Sequence, residues 1–279
     1  MNVITMARFT FHEALRKKVL LAAVLLSLAF LALYTVGFYY YMRESAKFAS
    51  GRPTDVLVRD YGMLVMMGLY VVNFSGGLLS IFTAVGTISG EIESGTLHCI
   101  VPKPIRRWEI VAGKWLGYAV MLSVYVLGMS WAVMGIAYAF SGYLPSEPLK
   151  GSLLMVLVSL LLLSMTISGS TLFSTVTNGV VVFMLYGIAS VGGMVEGVGV
   201  LLKSELLVNI GIVTSLIVPS DSIWKAATYF LQPRLFNLIP IPTPFSSVSP
   251  ASPAMFIYAV GYCAAILLFG IRLFQRRDL

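Results

Sequence analysis

A chain of 279 residues that is 58% apolar and only 11% charged belongs in a bilayer, since soluble domains carry about 25% charged residues. A mean hydropathy of +0.89 points the same way, to an integral membrane protein rather than a soluble domain. The net charge of +7 does not indicate a nucleic-acid partner, because the Lys and Arg residues gather at the ends of apolar runs, where headgroups and orientation account for them.

Taken in order, residues 1–18 predict an interfacial helix. Ile4, Ala7, Phe11, Ala14 and Leu15 recur at helical spacing, opposite Thr5, Arg8, His12, Glu13, Arg16 and Lys17. Such a helix lies with its apolar stripe in the lipid and its basic side toward headgroups. The first span follows over 19–41, a little more than the roughly 20 residues a hydrocarbon core needs. Its Ser27-Leu28-Ala29 imitates a cleavage site, but the apolar run continues well beyond it, so the reading is an uncleaved anchor. Tyr39, Tyr40 and Tyr41 form an aromatic belt, and 43–60 is a solvated loop.

The second span, 61–89, is rich in small residues (Gly68, Ser75, Gly76, Gly77, Ser80, Gly86) that let helices approach closely. Asn73 is its one strongly polar residue, read as a hydrogen-bonding group toward a neighbouring helix. Then comes a charged island, Gly90 to Lys114, with four of the nineteen Lys/Arg and three of the twelve Asp/Glu, punctuated by Gly95, Pro102 and Pro104. A plain turn needs none of this.

The third span is 111–140 and the fourth 152–173, and 174–178 makes a tight turn. The fifth, 179–202, reads as interrupted by Gly187, Gly192, Gly193, Gly197 and Gly199, with Glu196 the only acid inside an apolar run. Residues 203–253 hold no clean span. Leu206 to Val218 is apolar but too short to cross, which suggests a re-entrant or interfacial segment. Pro219, Ser220 and Asp221 then open an amphipathic stretch from Ile223 to Leu231. Six of the chain's twelve prolines fall between Pro233 and Pro253, an extended connector. The last span is 254–273. The fold class is therefore an all-α integral membrane protein: six transmembrane helices, an N-terminal interfacial helix and a re-entrant or external helical region before the last span.

Six spans put both termini on one side. Lys and Arg number 11 on that side and 8 on the other, so the positive-inside rule makes the termini and the charged island cytoplasmic and 203–253 external. Catalytic patterns are missing. Trp115 follows Gly113-Lys114 where a phosphate loop needs Ser or Thr, and there is neither H-E-x-x-H nor Gly-x-Ser-x-Gly. His12, His98, Cys99 and Cys263 show no metal-ligand spacing, and two cysteines so placed give no disulfide framework. No span carries a row of acids or arginines. The expectation is no catalytic, cofactor-binding or metal residue in this chain.

Three stretches resemble a known family. Glu91, Ile92, Glu93, Ser94, Gly95, Thr96 and Leu97, then Pro102, Pro104, Arg106 and Arg107, then Gly113 and Lys114, resemble the loop after the second span in type-2 ABC exporter permeases. Phe11 to Lys17 looks like that family's N-terminal interfacial helix, and Phe274 to Leu279 like its C-terminal ending. The nearest branch is that of permeases linked to multicopper-enzyme maturation. His98, Cys99 and Ile100 depart from the family's leucine-rich stretch.

The resemblance implies a permease subunit in the plasma membrane. It would pair with a second permease copy, as a homodimer or a heterodimer, and with separate nucleotide-binding subunits that hold ATP and Mg. Residues 90–110 become a coupling loop: Glu91, Glu93, Gly95, Thr96 and Leu97 face the ATPase, while Pro102, Pro104, Arg106, Arg107, Gly113 and Lys114 anchor the loop at the inner leaflet. Two readings follow, an exporter of a solute and an ATP-driven mechanical device that acts on an external accessory protein through 203–253. A membrane enzyme is the third class, disfavoured by the lack of paired catalytic residues.

Overall fold

A computed structural model of the chain describes residues 3–47, 54–93, 107–233 and 252–276. These residues form ten helices and, among them, no strand. They are α1 (Val3–Arg16), α2 (Lys18–Lys47), α3 (Thr54–Ala84), α4 (Ser89–Glu93), α5 (Arg107–Ser141), α6 (Pro148–Gly169), α7 (Thr175–Leu202), α8 (Glu205–Ile217), α9 (Ser220–Leu231) and α10 (Pro253–Arg276). Among the described residues, six stretches are long and apolar enough to cross a membrane, α2, α3 with α4, α5, α6, α7 and α10, and the bent pair of α8 and α9 makes a seventh if it is counted as one span. The protein is an all-α integral membrane protein.

The helices outrun the hydrocarbon. At 1.5 Å per residue, the 30 residues of α2 and 35 of α5 exceed the span a bilayer requires. The stretch 43–60, expected as loop, is helical at 43–47 and 54–60. Tyr41 donates to the Asp60 carboxylate at 2.8 Å across the two helices, and polar residues in water continue a helix once its apolar part is formed.

Local chemistry sets several ends. Pro148 opens α6, where its missing N–H would have been unsatisfied anyway. Gly142, at φ +68°, turns the chain after α5. Lys203 closes α7 in the left-handed region at φ 53°, its N–H turned back toward the Gly199 and Val200 carbonyls.

The bundle is built around α6, the most buried span, which touches α3, α5, α7, α9 and α10, whereas α2 and α10 are the least buried. Met155, Val158, Leu161 and Leu162 of α6 are fully buried among Val65, Leu69 and Val72 of α3, Val126 and Val133 of α5, and Trp224 and Leu231 of α9. A second cluster sits at the end of the bundle that holds α1. It gathers Ala14, Ile88, Val111, Tyr118, Ile167 and Phe274. The second span's glycines are spent inside the chain: Gly68 faces Tyr34 and Val133, Gly76 faces Val126 and Ser159, and Gly77 faces Tyr186 and Leu162.

The fifth span differs from its expectation. Its glycines do not interrupt it, since α7 is continuous over 28 residues. Gly192, Gly193 and Gly199 admit α8 and α9 instead. A methyl group at Gly192 would overlap Thr214, and one at Gly193 would overlap the Asp221 carboxylate. Close packing supplies the contacts that offset glycine's poor helix propensity. The pair α8 and α9 bends by 104° at Val218 and Pro219. Tyr258 and Tyr262 of α10 donate to the Leu216 and Ile217 carbonyls at 2.5 and 2.6 Å, which satisfies orphan groups at that helix end.

A test of this packing compares two neighbours. A Cβ at Gly199 would lie 2.7 Å from Leu207 Cβ and 2.8 Å from the Val208 nitrogen, whereas one at Gly197 meets nothing within 4 Å. Gly199→Val is expected to cost about 1–3 kcal/mol through overpacking, read as a lower thermal midpoint in detergent. Gly197→Val is expected to leave the midpoint unchanged, and equal effects would refute the α7–α8 contact.

Candidate functional site

The charged island begins where the second span breaks. Regular helix ends at Ala84, residues 85–88 form turns, and α4 resumes over Ser89–Glu93. Glu91 lies in α4, and Lys114 lies two turns inside α5. Lys114 Nζ stands 2.5 Å from Glu91 Oε2 and donates to the Thr87 carbonyl at 2.8 Å. The lysine side chain is 3% exposed and the glutamate 25%. A buried ammonium needs both an opposite charge and hydrogen-bond acceptors, and both come from the base of the island. Expected as a partner-facing acid and an inner-leaflet anchor, Glu91 and Lys114 are placed against each other.

A second lysine continues the cluster. Lys17, at the junction of α1 and α2, donates to the Tyr118 hydroxyl at 2.6 Å and to the Thr83 carbonyl at 3.4 Å, and pairs with Glu13 at 3.3 Å. Burial alone would depress its pKa. Tyr118 and Glu13 outweigh burial, and the pKa is raised above the usual lysine value, so Lys17 stays charged at neutral pH.

The interfacial helix docks by shape. Gly113 and Gly117, four apart on α5, leave a notch for the α1 backbone. A Cβ at Gly113 would lie 2.6 Å from Met6 Cβ, and one at Gly117 would lie 2.7 Å from the Ala7 carbonyl oxygen. Met6, Thr10 and Ala14 are consequently buried, while Ile4 is 79% and Leu15 51% exposed. The expected stripe thus splits: Ala14 packs on α5, and Ile4 and Leu15 remain outward. Thr10 tolerates burial because its hydroxyl donates to the Met6 carbonyl at 3.0 Å.

The other anchors are partly visible. Arg107 reaches the Gln275 carbonyl at 3.4 Å, which ties the start of α5 to the end of α10. Glu93 closes α4. Gly95, Thr96, Leu97, Pro102, Pro104 and Arg106 lie outside the described residues. Lys17, Thr83, Thr87, Gly117 and Tyr118 join the site without having been singled out as site residues. The Gly113–Gly117 spacing is a small-xxx-small signal that sequence reading can find; Lys17 and Tyr118, 101 residues apart, carry none. Asn73, expected to hydrogen-bond a neighbouring helix, is buried, with Oδ1 lacking a partner among the described residues.

At the opposite end of α7 a second charged group forms. Lys225 of α9 lies 2.8 Å from Glu196 Oε2 and 3.1 Å from Asp221 Oδ2. Neither cluster sets a nucleophile beside a base. Both are ion pairs that hold helices in register.

The family model described as ABC-2 family transporter protein matches residues 4–279. The chain belongs to that family. It is a multi-pass membrane permease subunit of an ABC transporter, the membrane component and not the catalytic one. No curated protein matches it significantly. The permease's family normally works with an ATPase subunit, and the Lys114–Glu91–Thr87 cluster lies at the base of its charged loop.

Proposed function

We propose that the permease is the membrane subunit of an ATP-driven exporter in the plasma membrane. Its termini are cytoplasmic, it pairs with a second copy, and ATP and Mg are bound by a separate ATPase that docks on 90–110. The observation that carries this reading is the anchoring of the loop's base to α5 by the Lys114–Glu91 pair and the Lys114–Thr87 bond. A loop that receives a push transmits it only if its base is fixed to the moving helix. Affinity purification from the native membrane tests the reading, with an ATPase expected in stoichiometric amount. Glu93→Lys is expected to weaken that association about tenfold, the 1.4 kcal/mol scale of a lost charge contact, with the thermal midpoint unchanged. A permease that works with no ATPase attached would overturn it.

A second reading makes the permease a mechanical device for an external protein, in keeping with the resemblance to permeases of multicopper-enzyme maturation. The bent α8–α9 pair, held to α7 through Glu196 and Lys225, favours it. Reconstituted vesicles that hydrolyse ATP but move no solute would select it over the exporter.

A further inference from the structure

We infer that Asn178 is a positioning residue that ties α7 to the break in the second span, so that α7 delivers motion of the charged loop to the α8–α9 pair. The inference rests on the ATP-driven reading above and adds the route by which work crosses the membrane.

Asn178 belongs to the first turn of α7 and is fully buried. Its Nδ2 donates to the Val85 carbonyl at 2.9 Å and to the Thr166 carbonyl at 2.9 Å, so both protons of the amide are used across helices. Val85 is the first residue of the break. Around that break, the Thr83, Val85 and Thr87 carbonyls receive side-chain donors from three different places, Lys17, Asn178 and Lys114. Helix interruptions at membrane depth persist only when neighbouring groups satisfy the freed backbone, and here the neighbours are the α1–α2 junction, α5 and α7. The seat for Asn178 is made by Gly169, where a Cβ would overlap Asn178 Oδ1. Thr175 adds a second tie: its hydroxyl is 2.9 Å from that of Ser89, and its methyl group approaches Gly86.

The far end of the same helix is tied as tightly. Gly192, Gly193 and Gly199 seat Thr214, Asp221 and Leu207, and Glu196 pairs with Lys225. Between the two ends α7 is an unbroken helix of 28 residues, about 42 Å long at 1.5 Å per residue. A displacement of the break is therefore communicated to α8 and α9 by a single element fixed at both ends, the contiguous physical connection that coupling requires.

Double electron–electron resonance on the ATPase-bound permease in nanodiscs tests this. Cys99 and Cys263 are replaced by serine, and spin labels are placed at the exposed Leu149 and Leu206, in α6 and α8. The interspin distance is compared without nucleotide and with Mg-ATP. The expected result is an ATP-dependent shift in the otherwise unsubstituted permease that falls by at least about fivefold in Asn178→Leu, which keeps the branched shape and removes the donor. ATPase binding and basal ATP hydrolysis are expected to persist, an uncoupling that simple misfolding would not produce. Lys225→Gln tests the same rod from its other end and decides the matter if Asn178→Leu does not fold. A folded variant of either kind that keeps the full shift overturns the inference, as does a hydrolysing complex with no shift before substitution. Failure to isolate any ATPase instead overturns the ATP-driven reading.

Discussion

Lys114→Met is expected to destabilise the permease by about 3 kcal/mol, the low end for breaking a buried ion pair from one side. Methionine fits the space but removes the ammonium that two groups bond. Glu91, 25% exposed, loses the ammonium held 2.5 Å from its Oε2, and the Thr87 carbonyl loses its donor. Because Glu91 is a quarter exposed, it can turn partly to water, which places the effect low in the range. The double variant Lys114→Met/Glu91→Gln is expected to recover about half of the loss, because it removes the facing carboxylate charge as well. Thermal and chemical unfolding of the four proteins in one detergent gives the cycle. Additive losses would mean that the pair contributes nothing as a pair. In the ATPase complex, Lys114→Met is also expected to lower permease-stimulated hydrolysis more than it lowers ATPase binding.

Gly117→Leu is the second large effect. A Cβ at that position would already stand 2.7 Å from the Ala7 carbonyl oxygen and 2.8 Å from Thr10 Cβ. A backbone oxygen cannot move aside by changing rotamer, so the whole of α1 must shift. Met6, Thr10 and Ala14 then lose their seat, and Lys17 leaves Tyr118 and the Thr83 carbonyl. Undocking is expected to raise tryptic cleavage at Arg8 and Arg16 about tenfold. Gly128→Leu lies on the same helix where a Cβ meets nothing within 4 Å, and it is the control expected to show no change. Equal protection in both variants would mean that α1 is held by lipid and not by α5.

The span count was legible because it depends on a property summed over about twenty residues, apolar transfer into a 30 Å core. The interfacial helix was legible for a related reason, since Phe11, Ala14 and their neighbours repeat at 3.6 residues. Its docked face was not. Hydrophobicity favours Ile4 and Leu15, but contact with α5 is decided by how near two backbones come, and that selected Met6, Thr10 and Ala14. Gly192, Gly193 and Gly199 of the fifth span follow the same rule. Taken alone they weaken a helix; against α8 and α9 they are what makes close contact available.

The charged island was visible as an anomaly of charge and proline, and its family resemblance supplied a role. The partners of its residues were a different matter. Glu91 and Lys114 are 23 positions apart and Lys17 and Tyr118 are 101, and composition holds no information about pairing at such separations. Six stretches long and apolar enough to cross a membrane can be read from the sequence alone, because burial of apolar length is local and additive. Only the tertiary structure decided that Lys114 faces inward onto Glu91, that glycines become seats, and that Asn178 caps a broken span. Those outcomes depend on which backbone groups are left unsatisfied and which distant side chain can reach them.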